Sequence, residues 1–195
     1  MSYSIIGSGN VGTALARQFA RNGIRVSIAN TRGPESMAAL AKELGDNVVP
    51  ATLQDALKAD VVILAFLFRG RSDVGRALSD WSGKIVVDAM NTYGIPPEEL
   101  KGQESTDLVA ASFPGAKVVK TLNQMPAKLL GEIPAADGGR RVMFLSSNDA
   151  GAEKEIAELV AALGFAPIML GKVNEGGKLI DKSGPLILQN LIKLG

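Results

Sequence analysis

The 195-residue sequence contains no cysteine and no histidine. Without cysteine the chain can form no disulfide and offers no thiolate nucleophile. Without histidine it lacks the commonest metal ligand and the commonest acid–base side chain. These absences exclude zinc catalysis and a histidine-based catalytic triad, so we expect no metal site, and the sequence leaves the catalytic residue open.

An excess of charge of one sign and a long hydrophobic run are also missing. The chain has 21 Lys and Arg against 20 Asp and Glu, a formal net charge of +1, which gives no reason to expect nucleic acid or an anionic membrane as a partner. The longest uninterrupted apolar run, Val61 to Phe68, is far too short to span a bilayer. We therefore expect a soluble, cytoplasmic protein.

Strand-like apolar runs alternate with helical segments along the chain, and the 46% hydrophobic content is that of an ordinary globular protein. This alternation predicts an α/β fold with a Rossmann-type, doubly wound, mostly parallel sheet in three layers. We expect one domain over residues 1–195. The predicted strands are Tyr3–Ile6, Arg25–Ala29, Val48–Pro50, Val61–Ala65, Lys84–Asp88, Lys117–Thr121, Arg141–Leu145 and Pro167–Leu170. The predicted helices are Val11–Asn22, Ser36–Leu44, Leu53–Leu57, Arg71–Leu78, Gln103–Phe113 and Ala152–Leu163.

A glycine-rich turn follows the first predicted strand, with Gly7, Gly9 and Gly12 in the spacing G-x-G-x-x-G. The first glycine permits a tight turn, the second lets the backbone approach a diphosphate, and the third lets the helix pack closely on the sheet. Backbone N–H groups and the positive end of the helix then face the anion. The motif alone is unspecific, but an apolar strand precedes it and an amphipathic helical pattern follows it. The motif therefore predicts a pyrophosphate site at Gly7, Gly9 and Gly12.

The end of the second predicted strand indicates which dinucleotide binds. NAD-preferring proteins of this fold carry Asp or Glu there, which bonds the ribose 2′-hydroxyl, whereas this chain has Asn30, Thr31 and Arg32. An amide, a hydroxyl and a guanidinium can all donate to a 2′-phosphate that a carboxylate would repel, so NADP (NADPH) is the predicted cofactor. The alternative is a plain turn before Gly33 with a solvated Arg32. Ser36 is either a further phosphate donor or a polar residue of the next helix.

Residues after three further strands are candidates for contact with the cofactor and substrate rings. Apolar groups suit a flat ring, while Asn91 and Asn123 can bond a carboxamide or a substrate carbonyl. Alternatively, Phe66 and Met125 pack in the core, and the asparagines cap the turns that follow them. The basic stretch Phe68–Arg71 either reaches a cofactor phosphate or is solvated. The candidates are Ala65, Phe66, Leu67, Asn91, Asn123, Met125 and Pro126.

The C-terminal segment, about residues 171–195, is predicted to contain an apolar helix. Pro185 suits a first helical turn, and Leu188, Leu191 and Ile192 then fall on one face. Such a helix either covers the acceptor pocket of its own subunit or packs against a partner subunit. We favour the second arrangement, a dimer contact.

An ordered set of motifs resembles the NADPH:F420 oxidoreductase family over nearly the whole chain. These motifs are Gly7–Gly12, Asn30–Arg32, Val118–Ala127, Gly176–Leu179 and Gly184–Leu188. The resemblance implies a Rossmann domain that binds NADP, moves hydride between the nicotinamide and the deazaflavin F420, and forms a homodimer. It places Thr31 and Arg32 on the 2′-phosphate. The residues that it places on the pyrophosphate are Gly7, Ser8, Gly9, Asn10 and Val11. The residues that it places around the nicotinamide and the acceptor are Phe66, Asn123, Met125 and Pro126.

The acceptor is not fixed by this resemblance, because some archaeal members carry His where this chain has Asn123. FMN, FAD or another small-molecule redox acceptor is an alternative to F420. Hydride transfer between stacked rings needs orientation more than a proton donor, so a histidine-free site suits it. Two other functions stay open: a redox sensor or scaffold that binds NADP without turnover, and a small carbonyl or imine reductase. The latter needs an acid, for which Tyr93, Lys120 and Lys128 are the candidates.

Overall fold

Six parallel strands form the main part of a ten-stranded sheet in the computed structural model, which describes all residues from Met1 to Gly195. The strands are β1 (Tyr3–Ile6), β2 (Val26–Ala29), β3 (Val48–Pro50), β4 (Val61–Leu64), β5 (Ile85–Asp88), β6 (Lys117–Lys120), β7 (Ala135–Ala136), β8 (Gly139–Ser147), β9 (Ala166–Met169) and β10 (Ile192–Leu194). The helices are α1 (Asn10–Arg21), α2 (Ala38–Leu44), α3 (Leu53–Ala56), α4 (Arg71–Gly75), α5 (Ser105–Ser112), α6 (Ala127–Leu130) and α7 (Ala150–Ala162).

The parallel strands lie in the order β3-β2-β1-β4-β5-β6. This is the Rossmann order, and it reverses direction between β1 and β4. In such sheets, ligands bind beyond the carboxyl ends of the strands at that reversal. The predicted Rossmann-type fold is confirmed, and its topology places a candidate site at the ends of β1 and β4.

Each face of the sheet is covered by its own hydrophobic core. Along β4, Val61 and Ile63 belong to the core that includes α1 and α7, whereas Val62 and Leu64 belong to the opposite core with Trp81. A strand that is buried on both faces reads as an unbroken apolar run rather than an alternating one. The apolar run that begins at Val61 is therefore a central strand. Among the helices, none has both the length and the apolar character that a membrane span requires.

A buried glutamine completes the hydrogen bonding between the parallel strands and β8. Only the last residues of β8 pair with β6, so the middle of β8 lacks a strand neighbour on that side. The Gln124 side chain fills this gap, because its Nε2 donates to the Val142 carbonyl at 3.1 Å and its Oε1 accepts from the Phe144 N–H at 2.8 Å. Buried backbone groups must be paired. The Gln124 side chain therefore supplies the two hydrogen bonds that a neighbouring strand would otherwise make with β8.

The predicted C-terminal helix is wrong. The last residues form β10, in which Ile192 pairs with Arg141 and Leu194 with Gly139 in antiparallel register. Leu188 has a left-handed backbone, with φ of 61°, and donates its N–H to the Gln124 carbonyl at 2.6 Å. The start of β8 has backbone groups that need partners on this side, and the chain end supplies them. This tertiary demand outweighs the helical spacing of the leucines.

Smaller differences concern the ends of elements. The predicted helix Ser36–Leu44 is a 3-10 turn over Pro34–Met37 followed by α2. The predicted helix Arg71–Leu78 ends at Gly75, where a side chain would overlap the Ser112 carbonyl oxygen, since α4 and α5 pack backbone to backbone. Two observed elements have no predicted counterpart. The two residues of β7 are too few to show a period, and α6 lacks the side-chain cap that begins the equally short α3.

We expect Gln124→Leu to lower the free energy of unfolding by about 2–4 kcal/mol. It leaves the Phe144 N–H and the Val142 carbonyl without partners, and each unpaired buried group costs roughly 1–3 kcal/mol. Urea unfolding followed by circular dichroism measures the change. The matched control is Gln189→Leu at an exposed position, for which we expect a change below about 0.5 kcal/mol. Equal stability of the two variants would contradict this role of Gln124.

Candidate dinucleotide site

The fold brings all the predicted site residues to one edge of the sheet. Because β1, β2, β4, β5 and β6 are parallel, their carboxyl ends meet there. The glycine-rich turn follows β1, Asn30 follows β2, Phe66 follows β4, Asn91 follows β5 and Asn123 follows β6. Residues spread over more than a hundred positions of sequence therefore lie together at the edge where the ligand crevice of such sheets forms.

The turn between β1 and α1 is built from backbone-to-backbone contacts that only glycine permits. Gly7 has a φ of 112°, and a side chain there would overlap the carbonyl oxygen of Ala65 at the end of β4. A side chain on Gly12 would overlap the carbonyl oxygen of Gly7. These contacts hold the first turn of α1 directly over the ends of β1 and β4.

The amino end of α1 has the properties of an anion site. A methyl group on Gly9 would meet nothing within 4 Å, so this face of the turn is open. No side chain caps α1, and no acidic residue lies in its first turn. The N–H groups of that turn therefore have no partner in the helix, and the helix dipole adds positive potential. A diphosphate fits this cradle, with Ser8, Asn10 and Val11 beside it in the same turn.

Asn30 ties this turn to the segment after β2. Its Nδ2 donates to Ser8 Oγ at 2.6 Å and to Ser36 Oγ at 3.0 Å, and its Oδ1 accepts from the Arg32 N–H at 2.8 Å. Ser36 Oγ also donates to the Gly33 carbonyl at 2.7 Å. Asn30 thus starts a turn, as the alternative to phosphate binding predicts. It also fixes the glycine-rich turn and the segment after β2 relative to each other. Sequence spacing did not reveal this second role.

Arg32 is exposed and its guanidinium has no protein partner. It takes part in none of the ion pairs of the structure, while its backbone is fixed by Asn30. Thr31 beside it is also exposed. A positive side chain on a fixed backbone, at the end of β2, can receive a phosphate without first breaking a salt bridge.

The end of β4 presents one buried and two more accessible apolar residues. Ala65 is buried against Gly7, whereas Phe66 is half-buried and its ring lies close to Gly70. Leu67 has 83% of its surface exposed. A large aliphatic side chain so exposed beside the crevice is free to contact a ring.

Two asparagines at the ends of β5 and β6 bond each other. Asn91 Nδ2 donates to the Asn123 carbonyl at 2.9 Å, and Asn123 Nδ2 donates to Asn91 Oδ1 at 3.0 Å and to the Ile180 carbonyl at 2.7 Å. Backbone carbonyls fix both amide orientations, so Asn123 Oδ1 is left buried without a donor. The preceding Leu122 has a φ of 64°, which costs energy in a non-glycine residue. The asparagines link the strand ends to the C-terminal segment.

Met125 and Pro126 differ in exposure although they are adjacent. Met125 is buried in the core that includes α1, as the core-packing alternative predicts. Pro126 is exposed where the chain turns into α6. Of the two, only Pro126 presents surface to a ligand in this conformation.

The candidate general acids are poorly placed for proton transfer. Lys120 is only 1% exposed, and its Nζ donates to Asp88 Oδ2 and to the Met90 carbonyl, both at 3.1 Å. It therefore holds the strand ends together and does not reach the crevice. Tyr93 and Lys128 are exposed and neither forms a side-chain hydrogen bond that would fix its position.

Comparison with known proteins agrees with this geometry. A family profile described as NADP oxidoreductase, coenzyme F420-dependent, matches residues 2–92. A protein of Arthrobacter sp. FB24, provisionally assigned as an F420-dependent NADP reductase, is 32% identical; the match covers 89% of this chain and 86% of that structure, with a TM-score of 0.74. The chain belongs to the F420-dependent NADP oxidoreductase family. The predicted resemblance is confirmed, and the family is one of NADP-dependent oxidoreductases.

Other relatives of this family member extend the comparison. The hypothetical protein SMa0349 from Sinorhizobium meliloti is 43% identical, with a TM-score of 0.95 over 99% of this chain and 96% of that one. The metalloreductase STEAP3 of Rattus norvegicus is 30% identical over 172 residues, which are 87% of this chain and 33% of STEAP3. The chain thus spans about a third of the length of the curated relatives it matches. A reductive aminase from Aspergillus terreus, 21% identical with a TM-score of 0.64, shares the fold.

We expect Gly9→Ala and Gly12→Ala to separate cofactor binding from stability. The Gly9 methyl group enters open space where a diphosphate would approach, so NADPH affinity should fall at least about tenfold, or ~1.4 kcal/mol. Stability should change by less than about 1 kcal/mol. The Gly12 methyl group overlaps backbone, so that variant should lose about 1–3 kcal/mol of stability.

Urea unfolding and a titration of NADPH fluorescence measure the two effects. If Gly9→Ala binds NADPH as tightly as the unmodified chain does, the amino end of α1 is not the diphosphate site.

Proposed function

We propose that this protein transfers hydride between NADPH and F420 or a flavin-like acceptor. The observation that carries the proposal is the uncapped amino end of α1, with the open face of Gly9, beside an arginine that lacks any carboxylate partner. These two features match the diphosphate and the 2′-phosphate of NADP in chemistry and in their order along the fold. Family membership supports the reaction class.

In this proposal the Gly7–Gly12 turn binds the diphosphate, and Thr31 and Arg32 bind the 2′-phosphate. Asn30 and Ser36 order the turn that presents Arg32. The nicotinamide then extends over the ends of β4, β5 and β6. Contact there would come from Phe66, Leu67, Asn91, Asn123 and Pro126, whereas Ala65 and Met125, which the sequence also nominated, are buried beneath this surface.

NADPH when bound supplies the hydride, and the chain supplies orientation and shelter from water. The apolar surface of Phe66 and Leu67 suits a flat acceptor ring. The locked Asn91–Asn123 pair offers a buried acceptor atom, Asn123 Oδ1, whose desolvation is offset if a donor reaches it. Because no side chain is placed as a general acid, the geometry favours an acceptor whose reduction depends on ring stacking rather than on proton donation.

The decisive experiment titrates the purified protein with NADPH and NADH and then follows absorbance at about 340 nm, the band of reduced nicotinamide, while F420, FMN and FAD are added in turn. We expect tight NADPH binding and oxidation by at least one of these acceptors. Binding without oxidation by any of them would favour the sensor or scaffold function. Absence of NADPH binding would overturn the assignment of the glycine-rich turn.

We expect Arg32→Ala to weaken NADPH binding by about 1–3 kcal/mol, the scale of a charge-assisted contact, and to leave NADH binding nearly unchanged. The matched control is Arg25→Ala, an exposed arginine at the other end of β2, which should leave both affinities unchanged. Isothermal titration calorimetry gives the four dissociation constants. Equal loss for NADPH and NADH would refute the 2′-phosphate assignment.

A homodimer is also proposed: the family resemblance implies it, although the C-terminal helix that was the second ground for it is absent. Exposed apolar side chains near the chain end, Leu188, Leu191 and Leu194, are available for such a contact. Light scattering on the eluting peak of a size-exclusion column gives the mass directly. A mass near 20 kDa would exclude the dimer.

A further inference from the structure

Two arginines follow β4, and the structure treats them differently. Arg69 Nη2 lies 2.8 Å from Glu99 Oε1, so its charge is paired. Arg71, two residues later at the start of α4, takes part in none of the ion pairs. Of the two positive charges in this loop, that of Arg71 therefore has no carboxylate within ion-pair distance, and Glu99, which pairs with Arg69, acts on it only from farther away.

The Arg71 side chain is nevertheless held in one place. Its guanidinium carbon lies 4.2 Å from the centroid of the Phe68 ring, and Nη1 donates to the Phe68 carbonyl at 3.2 Å. Phe68 is itself only 3% exposed, within the core of that sheet face. An arginine stacked on a buried ring keeps its remaining N–H groups in a fixed fan, which is the arrangement that recognises phosphate or carboxylate.

The same side chain is short of hydrogen-bond acceptors. Its Nε is buried and has no partner. Burial also lowers the pKa of the Arg71 guanidinium, because the charged form loses hydration that no nearby carboxylate fully replaces. A fixed, partly desolvated cation with free donors is more stable with an anion beside it.

The position of Arg71 relates it to the proposed acceptor rather than to NADP. The loop that carries it begins at Ala65, which contacts Gly7, so it borders the crevice. Phe66 and Leu67, the apolar surface proposed for the acceptor ring, lie between Ala65 and Arg71 in the sequence of this loop. The two phosphate positions of NADP are already provided for by α1 and by the turn after β2.

We propose that Arg71 binds the anionic side arm, a phosphate or carboxylate, of the hydride acceptor whose ring rests on Phe66 and Leu67. This inference rests on the proposed function, since it names the class of molecule that the same crevice takes. It predicts that the protein prefers acceptors that combine a planar ring with a negatively charged arm. Neutral acceptors with the same ring should bind more weakly.

Acceptor pairs that differ only in the arm test the inference. FMN and riboflavin share one ring, as do F420 and the deazariboflavin that lacks its phosphate arm. Dissociation constants come from the ligand's own fluorescence, without turnover, and KM from NADPH oxidation. We expect the armed member to bind at least about tenfold more tightly, equivalent to ~1.4 kcal/mol. We expect inorganic phosphate to compete with that member and not with the other.

Arg71→Gln should remove this preference, raising the dissociation constant of the armed member about tenfold while the neutral member and NADPH keep theirs within about twofold. Arg71→Lys, which keeps the charge without the planar fan, should fall between. The matched control is Arg76→Gln, since Arg76 is exposed, directly follows the last residue of α4 and pairs with Asp73. This control variant should leave the dissociation constants of both acceptors and of NADPH unchanged.

The outcomes separate the two proposals. If the acceptors are reduced but the arm and Arg71 make no difference to binding, the inference is wrong and the proposed function stands. If Arg71-dependent binding of the armed member occurs without NADPH oxidation, the anion site stands and the reductase function is wrong. If Arg71→Gln weakens NADPH binding instead, Arg71 belongs to the dinucleotide site and the inference is overturned. Should Arg71→Gln fail to fold, the dissociation constants of Arg71→Lys decide, because inorganic phosphate alone also suits the two positions proposed for the phosphates of NADP.

Discussion

The contact of three backbone segments at Gly7, Gly12 and Ala65 is the constraint on which the rest of the site depends. The carbonyl oxygens of Ala65 and Gly7 occupy the space that side chains on Gly7 and Gly12 would need. As a result α1 starts directly above the reversal of the sheet, and its unpaired N–H groups point beyond the strand ends. A larger residue would lift the helix and move its positive end away from the crevice. The proposed anion site is thus a consequence of close packing, not of any charged side chain.

A second set of contacts builds the far side of the crevice from residues that carry no charge at the surface. The buried ion pair of Lys120 with Asp88 joins the last residues of β5 and β6. The hydrogen bonds between Asn91 and Asn123 join the loops that follow these two strands. Asn123 continues this chain of bonds to Ile180, and Gln124 continues it to β8 and to Leu188. The C-terminal segment is therefore part of the site's frame, since two successive residues after β6 hold it by hydrogen bonds.

Most of the sheet could be predicted from the sequence because buried parallel strands leave a simple signal. The bounds predicted for β1 and β3 are those observed, and those of β2, β4, β5 and β6 differ by one residue at an end. Helices α1 and α7 could also be predicted. The sequence of α1 is strongly amphipathic, and α7 is a long segment rich in apolar residues. The prediction of a C-terminal helix was wrong for a physical reason. Its leucine spacing is helical, but the unpaired start of β8 offers hydrogen bonds that a helix cannot make.

The sequence alone established the glycine spacing of the turn, the missing acidic residue after β2 and the basic side chain that stands near it, and from these the class of dinucleotide. It did so because each depends on residue type within a few positions of the chain. The use of Asn30 as a bridge to Ser8, the burial of Met125 and Lys120, the pairing of Asn91 with Asn123 and the unpaired charge of Arg71 emerged from the folded arrangement. Each of these depends on which distant side chain or backbone group lies alongside, and that is settled by packing across the sheet rather than by local sequence.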